Sequence, residues 1–258
     1  MKVRRTWERR GPLWTPRYEP DGGRFKRWRE RFTPKLLFTR GATGSASNSG
    51  GSSVAVTLTL TAGRSLVVIH NWATSQTGTI TSITCSNNSN LTLIGSPTRS
   101  AIDHNTQFAY LSNIGTGGSQ TVTVNMSVAQ DEMTTNVLEY IGGDTTGVYD
   151  NAVNSGSGNS ANPSISLTTN TANALIVGCC GDDAADPTAG SGYTIITIAN
   201  FWNFCSGEDQ LDMGAAGAKT VAFTAASGNW IAVAAAFKIA GGAAAAEKNF
   251  LSLLGAGA

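Results

Sequence analysis

The sequence predicts an all-β protein: an antiparallel β-sandwich, jelly-roll-like and built from two pseudo-repeats, with an extended N-terminal arm and a short C-terminal tail. Three observations carry this expectation. From Val54 onward apolar and polar residues alternate with a period of two, the pattern of a half-buried strand. Gly, Ser and Asn clusters punctuate the region at short intervals with almost no helical periodicity, as in sandwiches. Charged residues make up only 14% of the 258 residues, against 41% hydrophobic, so there is apolar material for a core beneath an unusually uncharged surface. No apolar run approaches the roughly 18 residues of a membrane span, and no membrane partner is expected.

The arm, residues 1–40, holds four of the seven prolines and three of the six tryptophans and cannot build a core of its own. Within it, Phe25, Trp28 and Phe32 recur at helical spacing among Arg24, Lys26, Arg27, Arg29 and Arg31, which predicts a short amphipathic helix ended by Pro34. Residues 41–53, GATGSASNSGGSS, read as a flexible linker. The sandwich is placed at 54–240. Strands are expected at 54–60, 64–72, 79–85, 90–95, 107–113, 120–127, 134–141, 164–169, 173–180, 193–199, 201–207, 219–224 and 229–239, rich in Thr, Val and Ile. Residues 175–177 and 230–237 are apolar on both faces, which places them centrally.

Two pseudo-repeats, 54–141 and 164–239, share their order of segments. VTLTLTAGRSLVVIHN (56–71) matches SISLTTNTANALIVGC (164–179), with Leu58 and Leu167 each eight residues ahead of Leu66 and Leu175. GGSQTVTVNMS (117–127) matches AAGAKTVAFTAAS (215–227). Such halves close either one sandwich or two small ones. One is preferred, because residues 142–163 keep Val148, Tyr149 and Val153 and read as a segment threaded along a sheet. The tail, 241–258, offers Phe250, Leu251 and Leu254 on a short helix as a docking element.

Charge divides sharply. The first forty residues hold 13 of the 18 Lys+Arg and 4 of the 17 Asp+Glu, a net +9, leaving 5 basic against 13 acidic residues, or −8, for the rest. The arm therefore suits an acidic protein surface, where Trp and Arg are favoured anchors, or nucleic acid, through phosphate neutralisation and stacking; a solubilising tail is the plainer alternative. Its candidate partner-binding residues are Trp7, Trp14, Phe25, Arg27, Trp28, Arg29 and Phe32.

Signs of catalysis are weak. The two histidines, His70 and His104, lack metal-ligand spacing and are expected to be structural, and no G-x-S-x-G elbow accompanies the many hydroxyls. Adjacent Glu208 and Asp209 should point to opposite faces of a strand, a poor catalytic pair. Asp182, Asp183 and Asp186 are the densest carboxylate cluster and a weak calcium candidate. Trp72 and Trp202 stand near expected strand ends, as core residues or sugar-stacking platforms. Four cysteines are too few for a disulfide framework; reduced thiols, no cofactor and no enzymatic activity are expected. The basic start, without an apolar run after it, suggests no secretory signal.

The motifs L-T-A-G-R-S-L-V-V (60–68), G-G-S-Q-T-V-T-V (117–124), L-E-Y-I-G-G-D (138–144), G-S-G-Y-T (190–194), G-E-D-Q (207–210) and S-G-N-W-I-A-V-A-A-A-F-K (227–238) resemble β-sandwich modules of tailed-bacteriophage virion proteins and bacterial surface proteins. The arm and tail resemble the extended termini of capsid decoration and head-fibre proteins. The resemblance implies a non-enzymatic virion protein, assembled in the host cytoplasm, whose partners are the major capsid protein or other virion subunits, with homo-oligomers expected. A tail or fibre protein with a glycan-binding sandwich, or a nucleic-acid-associated protein using the arm, are the alternatives.

Overall fold

The computed structural model describes residues 7–10, 13–16, 37–73, 78–99, 104–196 and 204–241, in two units, Met1–Lys35 and Leu36–Ala258. In the first, β1 (Trp7–Arg10) and β2 (Leu13–Pro16) form an antiparallel hairpin with Arg9 opposite Trp14. The helix expected at 24–32 and the tail at 242–258 lie outside the described residues.

The second unit is all β among the described residues and consists of two eight-stranded antiparallel sandwiches. The first comprises β3 (Thr39–Asn48), β4 (Gly51–Leu60), β5 (Ser65–Trp72), β6 (Ile80–Cys85), β7 (Thr92–Arg99), β8 (Asn105–Leu111), β9 (Gly118–Gln130) and β10 (Met133–Ile141). The second comprises β11 (Tyr149–Ser160), β12 (Ser164–Thr169), β13 (Leu175–Asp182), β14 (Thr188–Ala189), β15 (Thr194–Ile196), β16 (Phe204–Gln210), β17 (Gly217–Thr224) and β18 (Gly228–Phe237). The strand orders are β3-β10-β5-β8-β7 over β4-β9-β6 in one and β11-β18-β13-β16-β15 over β12-β17-β14 in the other. Moving every strand of the first set eight places along the chain reproduces the second, so the duplication read in the sequence is a duplication of topology. Two sandwiches stand where the sequence favoured one.

Each sandwich closes its own core. Val56, Val68, Trp72 and Val124 pack inside the first, and Ile165, Ile176, Val221 and Phe223 inside the second. A third core joins them: Ile69, Phe108 and Leu138 of one five-stranded sheet pack against Val177, Val233 and Phe237 of the other. Both five-stranded sheets are therefore covered on both faces.

The 41–53 segment is not a linker. It forms most of β3 and the start of β4, and the body begins with buried Phe38, well before residue 54. Flexible composition gives way here to tertiary fit: a Cβ at Gly44 would stand 2.8 Å from Val56 Cγ1, and one at Gly156 of β11 would stand 2.8 Å from Ile165 Cγ2. Small residues let these two edge strands approach the opposing sheet.

One corner shows how the copies diverged. In the first sandwich the buried Glu139 carboxylate accepts the backbone N–H of Ala42 (2.9 Å) and Thr61 (2.7 Å) and pairs with Arg64 (2.8 Å). A Cβ at Gly41 would collide with that carboxylate. In the second sandwich the positions of Gly41 and Glu139 are held by Asp150 and Ala236, as the ladders show. Asp150 now receives the N–H of Asn170 (2.6 Å), the counterpart of Thr61 just beyond the second strand of the repeat. A carboxylate satisfies the same turn in both copies but arrives from different strands. Glu139→Ala should cost about 3 kcal/mol, because buried donors and Arg64 lose their acceptor. Adding Gly41→Asp should recover most of that loss, read as the urea midpoint of the double variant.

Candidate functional site

Of the sequence-predicted partner residues, Trp7 and Trp14 lie on β1 and β2, within the first unit. Phe25, Arg27, Trp28, Arg29, Phe32, Phe250, Leu251 and Leu254 lie outside the described residues. The aspartates at the weak calcium position hold their own loop: Asp182 accepts the Ala184 N–H (2.7 Å) and Asp183 both the backbone and side-chain N–H of Asn229 (2.7 Å each), while Asp186 is exposed. Trp72 is fully buried in the first core, so it is no sugar platform; Trp202 lies outside the described residues.

What the fold assembles instead is the seam between the sandwiches. Arg40 Nε and Nη2 donate to Asp209 at 2.7 and 2.5 Å, and the Tyr140 hydroxyl donates to the same carboxylate at 2.7 Å. Asp209 is buried. Burial, reinforced by the adjacent Asp209 charge, pushes the Tyr140 phenol well above its ordinary value, and the hydrogen bond to Asp209 holds the Arg40 guanidinium charged. The ladders pair Arg40 with Tyr140 and Tyr149 with Phe237, and place Tyr110 opposite Val67 as Asp209 stands opposite Val177. The counterpart of Arg40–Tyr140–Asp209 is thus Tyr149–Phe237–Tyr110. That second trio also meets across the seam, with Tyr149 centred 5.6 Å from Tyr110 and 6.4 Å from Phe237. Reciprocal contact of this kind is the mark of a twofold interface. Just beyond β10 and β18 the chain also meets itself antiparallel, at Gly143 and Ile239. The two sandwiches are related by an approximate twofold axis, with one side of the seam charged and the other aromatic.

Further along the seam, Cys179 Sγ lies 3.4 Å from Cys205 Sγ and 3.5 Å from Asn71 Oδ1. The His104 imidazole Nε2 bonds Thr106 Oγ1 (2.7 Å) and Asn71 Oδ1 (3.2 Å). The bond with Cys205 holds the Cys179 thiol down at about 6, with His104 acting in the same sense, and the same bond pushes Cys205 up. All four cysteines are free thiols. Neighbouring Cys179 and Cys180 face different cores, the seam and the second sandwich.

The remaining buried acid and base are separate. His70 stacks on Trp72 at 5.3 Å and bonds Thr135 Oγ1 at 2.8 Å; burial lowers it to about 3. Glu208 is buried and accepts the Gly190 N–H at 2.9 Å; burial raises it to about 7, against that hydrogen bond. Asp209 beside it faces the seam, so these adjacent carboxylates do point apart. Arg40, Tyr140 and the Cys179–Cys205–His104 grouping were not singled out from the sequence, because only the topology brings residues so distant in the chain together.

No family model matches this chain, and no curated protein does. Among solved structures it is similar to the major capsid protein P2 from Bacteriophage PM2, with 8% identity, a TM-score of 0.27, and coverage of 78% of this chain and 97% of that one. No helix among the described residues is long and apolar enough to cross a membrane.

Two outcomes follow from the buried charges. Arg40→Ala should cost about 3 kcal/mol by leaving Asp209 buried without its cation, whereas Tyr140→Phe should cost about 1 kcal/mol; both are read from equilibrium unfolding. For Glu208, the unfolded carboxyl titrates near 4.5 and the folded one near 7. Between those values only the folded state keeps the proton, so this group lowers stability as pH rises through the window. His70 acts oppositely: its contribution is lost as pH falls from 6.5 towards 3. Glu208→Gln should therefore gain stability relative to the parent at pH 8 and not at pH 4, measured as the difference in urea midpoint at each pH.

Proposed function

We propose that the chain is a non-enzymatic structural protein of a bacteriophage virion, a capsid decoration or cement protein. In this reading its two sandwiches are tandem jelly rolls that sit on the shell, and its arm lies across neighbouring capsid subunits. The observation that carries the reading is the division of labour along the chain. Residues 37–241 close three cores of their own. Residues 1–36 carry 12 Lys+Arg against 4 Asp+Glu, with six aromatics, while the rest of the chain carries 6 against 13. A segment of this basic, aromatic composition is suited to grip a partner surface. Its charge complements an acidic capsid surface or the acidic body of a second copy, and its Trp and Arg residues are the types that dominate interfaces. The non-enzymatic part of the reading is supported by two buried histidines, each with side-chain partners, and by Glu208 and Asp209 facing different cores.

The test is co-sedimentation with capsids. The full chain should pellet with particles, and residues 37–258 should stay folded by circular dichroism yet remain in the supernatant. Trp28→Ala should weaken binding by about 2 kcal/mol, roughly 30-fold, if it is a central anchor. Undiminished decoration by the truncated chain would overturn the arm's role. Binding of bare DNA with a steep salt slope, or glycan binding by residues 37–258 with no capsid association, would overturn the decoration reading.

A further inference from the structure

We propose that Cys179, Cys205 and His104 bind one zinc ion that fastens the two sandwiches together across their seam. This inference stands apart from the virion reading and does not need it. One ligand atom from each residue lies within 4.8 Å of the other two, although the three are far apart in sequence and come from both halves. His104 immediately precedes β8 of the first sandwich, while Cys179 and Cys205 stand on β13 and β16 of the second. Two sulfurs on a tetrahedral zinc ion lie about 3.8 Å apart, given a bond of about 2.3 Å; these are at 3.4 Å, so a small separation admits the ion. Two thiols and an imidazole form a soft-to-borderline donor set that favours zinc over magnesium or calcium.

The surroundings are shaped to the imidazole. Asn71 Oδ1 and Thr106 Oγ1 bond its Nε2 and bond each other at 2.7 Å, which fixes the ring, and outer partners of this sort orient metal-binding histidines. On the opposite side is Gly181, where a Cβ would stand 2.7 Å from His104 Nδ1. Asn71 Oδ1, 3.5 Å from Cys179 Sγ, is a protein oxygen placed for a fourth position.

The duplication supplies an internal comparison. By the ladders, Cys179, Cys205 and Gly181 occupy the places held in the first sandwich by Ile69, Thr106 and Asn71. The fold is therefore content with an isoleucine and a threonine where the second copy has its cysteines. The sulfur pair is not required to fill the seam, and the glycine opposite His104 occurs in the same copy as both thiols.

The experiment uses the full chain without a histidine tag. It is incubated with zinc under reducing conditions, desalted, and analysed for metal and for thiol reactivity. One zinc per chain is expected, with Cys205, the one cysteine that is not fully buried, protected from thiol reagents until a chelator is added. Cobalt loading should give thiolate-to-cobalt charge-transfer absorption. Cys179→Ser and Cys205→Ser should each fall to a tenth of a zinc per chain or less, whereas Cys85→Ser and Cys180→Ser should keep one; circular dichroism identifies any variant that fails to fold. His104→Gln should retain the fold and lose most of the cobalt spectrum. Folded parent protein holding less than a tenth of a zinc, a Cys205 thiol as reactive after zinc loading as before it, or a Cys179–Cys205 disulfide that persists in the reduced preparation would each overturn the proposal.

Discussion

Burial of both five-stranded sheets on both faces is the constraint from which the rest of the body follows. Every residue of β5 and of β13 is buried, and β10 and β18 are nearly so. Strands in that position cannot alternate apolar with polar, and they read as continuous apolar runs. Polar groups are costly to bury there without partners; Asp209 has Arg40 and Tyr140, and His70 has Thr135. The three-stranded sheets are covered on one face only and keep their alternation, as β4 and β12 show by burying Val54 and Val56, and Ile165 and Leu167, every second residue.

This distinction accounts for what the sequence makes legible. Residues 175–177 and 230–237 are apolar throughout, which predicts central strands; they lie on β13 and β18, interior strands of their sheet. The expected strands of the two halves all find counterparts, because Thr/Val/Ile segments bounded by Gly and Asn turns fit strands by local preference as well as tertiary position. β3 reads locally as part of a linker, and β11 only as part of a segment threaded along a sheet. TRGATGSASN and YDNAVNSGSGNS have the composition of linkers, and they become strands because β10 and β18 offer them a ladder. Nothing local in the sequence states that offer.

The duplication was also only partly legible, for a reason of register. An ungapped match places Leu66 against Leu175, but Leu66 faces the first internal core and Leu175 faces the seam. The connection between β4 and β5 runs over residues 61–64, and that between β12 and β13 over 170–174. The extra residue shifts the following strand by one and exchanges its faces. Leu66 therefore corresponds to Ile176, and left-handed Gly63 to left-handed Asn173. Thr/Val-rich strands tolerate such a slip in a sequence match because either register looks equally apolar. In the folded protein the two registers point into different cores.

The seam itself explains why the halves need each other in one arrangement. An approximate twofold axis would allow either half to pair with a copy of itself, as in a dimer of single sandwiches. Two first halves would set Arg40 and Tyr140 against Tyr110, leaving a half-buried guanidinium without its carboxylate. Two second halves would set Asp209 against Tyr149 and Phe237, leaving a buried carboxylate without a cation. Either arrangement would occur twice per dimer, and breaking a buried pair in this way costs about 3 kcal/mol or more each time. The tandem arrangement avoids both, since the Arg40–Asp209 contact is complete and its mirror contact is aromatic. Divergence at three positions, Arg40/Tyr149, Tyr140/Phe237 and Asp209/Tyr110, thus converts a self-complementary surface into one that selects its opposite half, and covalent linkage through residues 142–148 keeps that half at hand.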